Sequence, residues 1–235
     1  MKLTVFLLLL FSSVAEAAIT FDAATLASDG SVSVLNFSHT VTGGCAQPIL
    51  VVDVHWTDAS ARTISSLTIG GVSATLIDTV YLVDVGNRWT ATYRRIGVGT
   101  GSNAIALTMS GTVSDSISAM ARSYCGVDQT TPTGTPSQGT GDSAGPAQSI
   151  VSSASGELVI ATAQVRNETL NGTVGGQSER YNDTDGRAGA DLAGAGSVTM
   201  QFALSASSQW GIISVPLKPY TAPAAGVRRR VVSNQ

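Results

Sequence analysis

The stretch from Asp115 to Pro132 reads DSISAMARSYCGVDQTTP. It predicts one long strand, Ser116 to Cys125, that stops at Gly126 and enters a turn-rich loop through Asp128, Thr130 and Pro132. Side chains alternate across a strand, so Ile117, Ala119, Ala121, Ser123 and Cys125 share one face and Met120, Arg122 and Tyr124 the other. Both faces mix apolar with polar residues. That is the pattern of a strand that packs on a core and also meets a neighbouring loop or layer. Cys125 ends the strand, and the only other cysteine, Cys45, sits just before the most apolar strand of the chain.

The rest of the chain reads the same way. Ala18 to Asp22 is a short strand and Ser31 to Thr42 a second. Ile49 to Trp56, ILVVDVHW, is apolar on both faces at its start, as a strand in a sandwich interior is. Ile64 to Ile69, a Gly70-Gly71 turn and Val72 to Val83 predict a hairpin. Arg88 to Ile96 is another strand, and Asn103 to Met109 alternates cleanly. Thr130 to Pro146 has no apolar period and reads as a loop. Gln148 to Ser152 and Glu157 to Val165 are strands, and Leu158-Val159-Ile160 echoes Leu50-Val51-Val52. The polar, Gly-rich stretch from Asn167 to Ala195 predicts long loops around one strand at Ser178 to Tyr181. Ser197 to Leu204 and Gln209 to Leu217 complete the series, with Pro216 suggesting an edge position or the end of pairing. Short strands without helical periodicity predict an all-β, two-sheet antiparallel β-sandwich, jelly-roll-like.

Composition agrees. Of 235 residues, 43% are hydrophobic and only 12% charged, with 25 glycines. This suffices for a core in one β-rich domain, 18–218, the alternative being two small ones. A net charge of −3 supplies no basic field for nucleic acid. At the N-terminus, Lys2, the apolar run Leu3 to Val14 and the small-x-small triplet Ala15-Glu16-Ala17 predict a secretory leader over 1–17. The run falls short of the roughly 20 residues that span a membrane, so no transmembrane segment is expected. Secretion places Cys45 and Cys125 in an oxidising compartment where a disulfide persists; two separate buried thiols are the alternative. The tail 219–235, with Arg228-Arg229-Arg230, reads as flexible and basic.

With the strands laid out, the chain resembles a family of uncharacterised bacterial, metagenomic and phage-associated β-sandwich modules. The shared phrases are SLTIGGVSATLI (Ser66 to Ile77), RWTATYRRIGVGTGSNAIALTMSG (Arg88 to Gly111) and SYCGVDQTTP (Ser123 to Pro132). They continue as GELVIATAQV (Gly156 to Val165), GGQSERYN (Gly175 to Asn182) and SQWGIISVPLKP (Ser208 to Pro219). The match spans Ile19 to Pro219, and the GVDQTTP turn from Gly126 to Pro132 is its most specific part. The resemblance implies a jelly-roll-like sandwich of extracellular or virion-surface proteins, with no established catalytic residues. The leader is a departure from that family and favours secretion.

The candidate chemistry is sparse. His39 and His55 are the only histidines. Asp53 and His55 share a strand face, but no Gly-x-Ser-x-Gly elbow marks a serine for them. Glu157, Glu168 and Glu179 are the acids available for glycoside hydrolysis, each at a turn or loop start. Asp183 and Asp185, with Asp191 further on, space oxygen ligands as calcium loops do, against ordinary Asx-turn chemistry; a structural calcium is the one cofactor in view. Trp56 and Trp210 read as core. Trp89 shares a face with Tyr93 and Arg95, a row that reads either as a ligand platform or as rings packed under a neighbouring loop. Asn36, Asn167, Asn171 and Asn182 head glycosylation sequons. No Cys/His spacing suits zinc. The expectation is a secreted, non-enzymatic protein of surface attachment, assembly or glycan binding. The alternative is an oligomeric structural subunit of a virion or filament, and a polysaccharide hydrolase ranks third.

Overall fold

The computed structural model describes residues 18–82 and 87–222. These form strands and turns without helix, and every strand pairing is antiparallel. The leader expected over 1–17 and the run Arg228 to Arg230 lie outside the described residues. The sandwich expected from the alternating pattern is present, and it is built twice.

The first half comprises β1 (Thr20–Asp29), β2 (Val34–Val41), β3 (Ile49–Thr57), β4 (Ile64–Ile69), β5 (Val72–Ser73), β6 (Thr75–Leu82), β7 (Arg88–Ile96), β8 (Gly101–Met109) and β9 (Ile117–Cys125). A sheet in the order β1-β9-β3-β7-β6 faces a sheet β2-β8-β4-β5. Leu50, Val52 and Val54 of β3 and Ile117, Ala119 and Ala121 of β9 meet Ile105, Leu107 and Met109 of β8 in the core between them. Burying each large side chain stabilises by roughly 1.5–3 kcal/mol.

The second half comprises β10 (Ser137–Ser143), β11 (Ala147–Val151), β12 (Leu158–Val165), β13 (Leu170–Thr173), β14 (Ser178–Asn182), β15 (Arg187–Ala193), β16 (Val198–Leu204) and β17 (Ser208–Leu217). Its sheets run β10-β17-β12-β15-β14 and β11-β16-β13. Position by position this is the order of the first half, with β10 standing for β1, β17 for β9, β12 for β3, β15 for β7 and β14 for β6. The registers repeat as well. Asp53 stands opposite Met120 and Thr92, Val51 opposite Arg122 and Arg94. Thr162 stands opposite Ile213 and Gly189, and Ile160 opposite Val215 and Asp191. In the structure Ile49-Leu50-Val51 corresponds to Leu158-Val159-Ile160, with Leu50 and Val159 each facing its own core and Val51 and Ile160 the seam. The echo of Leu50-Val51-Val52 read from sequence is therefore one residue out of register with the repeat.

The two five-stranded sheets pack back to back, which is why β3 is buried on both faces along its whole length. Ile49, Val51 and Tyr124 meet Ile160, Ile213, Val215 and Leu217 in this seam. Strand β1 meets β14, the counterpart of β6, while β6 meets β10, the counterpart of β1. Such exchanged contacts mark an isologous, two-fold-like interface, here within one chain. One end of the seam is closed by the segments that follow β9 and β17. Val127 bridges Pro219, Asp128 N donates to Lys218 O at 2.9 Å, and Tyr220 N donates to Gly126 O at 2.8 Å.

Several expectations need correction. Pro219 and Tyr220, read as flexible tail, are held in that closure. The stretch 130–146, read as loop, contains β10, whose glycines fit close approaches: a Cβ at Gly139 would lie 1.9 Å from the Gln148 carbonyl oxygen. The stretch 167–195 holds β13 and β15 as well as β14. Pro216 lies in β17, an interior strand between β10 and β12 and not an edge; the β10 register ends at Ser214, in keeping with the other reading, the end of pairing. The hairpin after Gly70-Gly71 lasts only through β5, because β6 crosses to the other sheet.

Candidate functional site

The seam encloses a polar network that the alternating faces of β3, β9 and β12 bring together. Asp53 Oδ2 accepts from Arg122 Nη2 at 2.6 Å, and the two side chains are 0% and 1% exposed. Thr92 Oγ1 donates to Asp53 Oδ1 at 2.9 Å and Tyr181 OH to Oδ2 at 3.3 Å. Arg122 Nη1 crosses the seam to the carbonyls of Ala161 (3.2 Å) and Ala190 (3.3 Å). His55 lies between Thr90 Oγ1 (2.9 Å, through Nδ1) and Thr162 Oγ1 (3.1 Å, through Nε2). Burial pushes the Asp53 carboxyl up, opposed by Arg122 and by the hydroxyl donors. Burial, reinforced by Arg187 and Arg122, holds His55 well below the ordinary imidazole range and hence neutral. Asp53 keeps Arg122 cationic against the cost of its burial.

This network is internally directed. Asp53 and His55 share a strand face, as the alternation requires, but each bonds other partners and both are fully buried. The second histidine is also enclosed. His39 Nδ1 meets Thr25 Oγ1 and Nε2 meets Ser123 Oγ, both at 2.9 Å, while Ser123 Oγ donates to Asp22 Oδ2 at 2.6 Å. The serine therefore stands between acid and imidazole, with its hydroxyl proton directed at the acid. In a hydrolytic triad the imidazole stands between, so this trio does not activate Ser123.

Opposite the Val127–Pro219 closure the seam opens as a cleft of about 530 Å³. Arg88, Asp115 and Ser116 line it from the first sandwich. From the second come Asn167, Glu168 and Thr169 beyond β12, together with Thr184, Asp185 and Arg187 of the β14–β15 turn. Arg88 spans the two halves, donating through Nη1 to Thr57 Oγ1 and through Nη2 to Asn167 Oδ1, each at 3.2 Å. Arg187, 2% exposed, forms the floor: Nη2 donates to Ser116 Oγ at 3.0 Å and Nη1 contacts Asp185 Oδ2 at 3.2 Å. All the named lining side chains are polar, with guanidinium, carboxylate, hydroxyl and carboxamide groups mixed. Sequence reading missed this site because its two walls lie far apart in the chain.

The residues singled out from sequence are dispersed. Trp89 is the middle ring of a stack across three neighbouring strands, 5.6 Å from Trp56 and 4.8 Å from Tyr81 between centroids. Both of its faces are covered, so it is no open platform. Tyr93 packs partly buried on the first core, and Arg95 donates through Nη1 to the Ile69 carbonyl. Asp183 and Asp185 are engaged by Arg187, while Asp191 pairs with Arg180 at 2.5 Å. Three carboxylates occupied by two different arginines do not form one calcium loop. Among the described residues the one trio of metal-type donors within 4.8 Å of one another is Asp22, Cys45 and Cys125, and its sulfurs form the Cys45–Cys125 disulfide. Asn36, Asn167 and Asn171 are exposed; Asn182 is exposed too, though its Nδ2 donates to Leu170 O and Glu179 Oε2. Glu168 reaches the cleft, whereas Glu157 folds back onto Ala154 N.

Known family models, curated proteins and solved structures yield no match to this chain. Among the described residues no helix is long and apolar enough to cross a membrane.

Proposed function

We propose that the protein is a secreted, non-catalytic β-sandwich protein that attaches to surfaces by binding glycan, in line with the extracellular module family its phrases resemble. The observation that carries this reading is the enclosure of its acid–base groups. Asp53, His55 and His39 are buried and bonded to structural partners, so the groups best suited to chemistry support the scaffold instead. A rigid scaffold with loops at its ends is a common carrier of recognition. Retention on immobilised polysaccharides, with product analysis of the same incubations, tests the reading. Retention without turnover is expected; depolymerisation of any probe by the unsubstituted protein would replace attachment with hydrolysis.

A second reading, an oligomeric subunit of a virion or filament, is favoured by apolar side chains on edge strands. Ile150 on β11 is 61% exposed and Val72 on β5 is 52% exposed, and edges of this kind invite pairing between chains. Light scattering at increasing concentration separates the two readings: a monomer at high concentration counts against the subunit.

A further inference from the structure

The geometry points to the cleft at the open end of the seam as a binding site for a neutral, polyhydroxylated ligand, a short stretch of saccharide chain; this rests on the glycan-attachment reading above. The cleft lies where β3 and β12 both end, so each sandwich contributes one wall and a ligand there touches both halves of the repeat. Its volume, about 530 Å³, falls within the range of roughly 300–1,000 Å³ usual for small-molecule sites. Most such sites are apolar, and this one is lined by polar side chains, which disfavours an apolar ligand.

Charge narrows the class further. Arg88 and Arg187 oppose Asp115, Glu168 and Asp185, leaving no strong excess of either sign. Arg187 is engaged by Asp183 and Asp185, which weakens the case for an anion. Those same carboxylates are turned to the guanidinium, and the cleft acids form no convergent donor group, which weakens the case for a cation. A sugar hydroxyl both donates and accepts. Asp115, Glu168 and Asp185 accept, the Asn167 carboxamide nitrogen donates, and Thr169 and Thr184 do either. Hydrogen bonding without a stacking ring on these walls implies weak single-site affinity, with dissociation constants on the order of 1 mM.

The test uses the full chain, produced without N-glycosylation because Asn167 and Asn182 head sequons at or beside the cleft. The probes are immobilised neutral oligosaccharides built from glucose, galactose, mannose or N-acetylglucosamine. Thr184→Trp fills the mouth from an exposed turn. Asp115→Ala combined with Glu168→Gln removes two of the three cleft carboxylates, while the carboxamide oxygen introduced at position 168 can still accept from Ser205 Oγ, as Glu168 does. Ile150→Ser, remote from the cleft, is the control, and thermal unfolding checks each variant. The expected result is retention of the unsubstituted protein and of Ile150→Ser on at least one probe, with at least tenfold weaker binding by both cleft variants. Retention unchanged in both cleft variants overturns the cleft assignment and leaves glycan attachment standing. Absence of retention by the unsubstituted protein on every probe overturns both.

Discussion

Asp53 on β3 and Arg122 on β9 form a 2.6 Å ion pair in the seam between the two sandwiches, and both members reach across it, Arg122 to the carbonyls of Ala161 and Ala190 and Asp53 to the hydroxyl of Tyr181. The joint between the halves of the repeat is thus not apolar alone. Removing one member leaves the other charged and buried, which typically costs about 3–5 kcal/mol. Asp53→Asn is expected to destabilise by that order in chemical denaturation. The double variant Asp53→Leu/Arg122→Met is expected to recover part of the loss, because it removes both charges. Purely additive effects would show that the two residues are not coupled.

The covalent link acts on a different free energy. Cys45 and Cys125 are separated by 80 residues, and the bridge ties the β2–β3 connection to the end of β9. By chain-entropy arithmetic a loop of that length contributes about 4 kcal/mol. Cys45→Ser/Cys125→Ser is expected to lose stability of that order in a denaturant titration, with the β-sheet circular dichroism spectrum retained. An unchanged midpoint would remove the bridge as a stabilising element.

Acidification should weaken the fold through its histidines. Burial holds both His39 and His55 below 6.5 in the native chain, so below about pH 6.5 the unfolded chain takes up protons that the folded one refuses. Stability is therefore fully present above 6.5 and falls as pH drops through it, by up to about 1.4 kcal/mol per pH unit for each histidine held neutral. Asp53, raised above 3.8 by burial, works the other way, so the histidine contribution is isolated by comparing the wild-type slope with that of a histidine variant across about pH 5.5–8, around the ordinary imidazole range. His55→Gln is expected to flatten the slope in equilibrium unfolding measured across that window.

Trp89 separates packing from recognition. Its ring is stacked between Trp56 and Tyr81, and such aromatic pairs contribute about 0.5–1.5 kcal/mol each beyond area burial. Trp89→Ala is expected to lower the melting temperature while leaving glycan retention at room temperature unchanged. Lost retention with an intact fold would return Trp89 to the binding surface.

Gly139→Ala tests the strand that had no sequence signature. Its added Cβ would collide with the Gln148 carbonyl oxygen, a backbone atom that cannot swing aside, so β10 must shift from β11. Overpacking of this kind costs about 1–3 kcal/mol. Thermal unfolding is the measurement, and a neutral result would mean that β10 does not pack as closely as described.

The strands with alternating or doubly apolar patterns were legible because burial on a fixed face leaves a period in the sequence. β3, β4, β7 and β9 begin or end within a residue of the expected bounds. β9 also announced its second layer, since Met120, Arg122 and Tyr124 face the seam while Ala119 and Ala121 face the first core. β10 and β15 left no such period. Close neighbours demand small residues there: a Cβ at Gly189 would sit 2.1 Å from the Tyr181 ring, and the apolar alternation disappears where there is no room for side chains.

The order of apolar and turn residues by itself determined an all-β chain with antiparallel layers, because side-chain alternation is a local property of the backbone. Only the tertiary structure decided that the layers form two like sandwiches joined back to back. It alone buried Asp53 and His55, covered Trp89, and brought Arg88 beside Asn167 at the mouth of a cleft. Those outcomes depend on which distant faces meet, and a contact between residues far apart in the chain leaves no period in either segment.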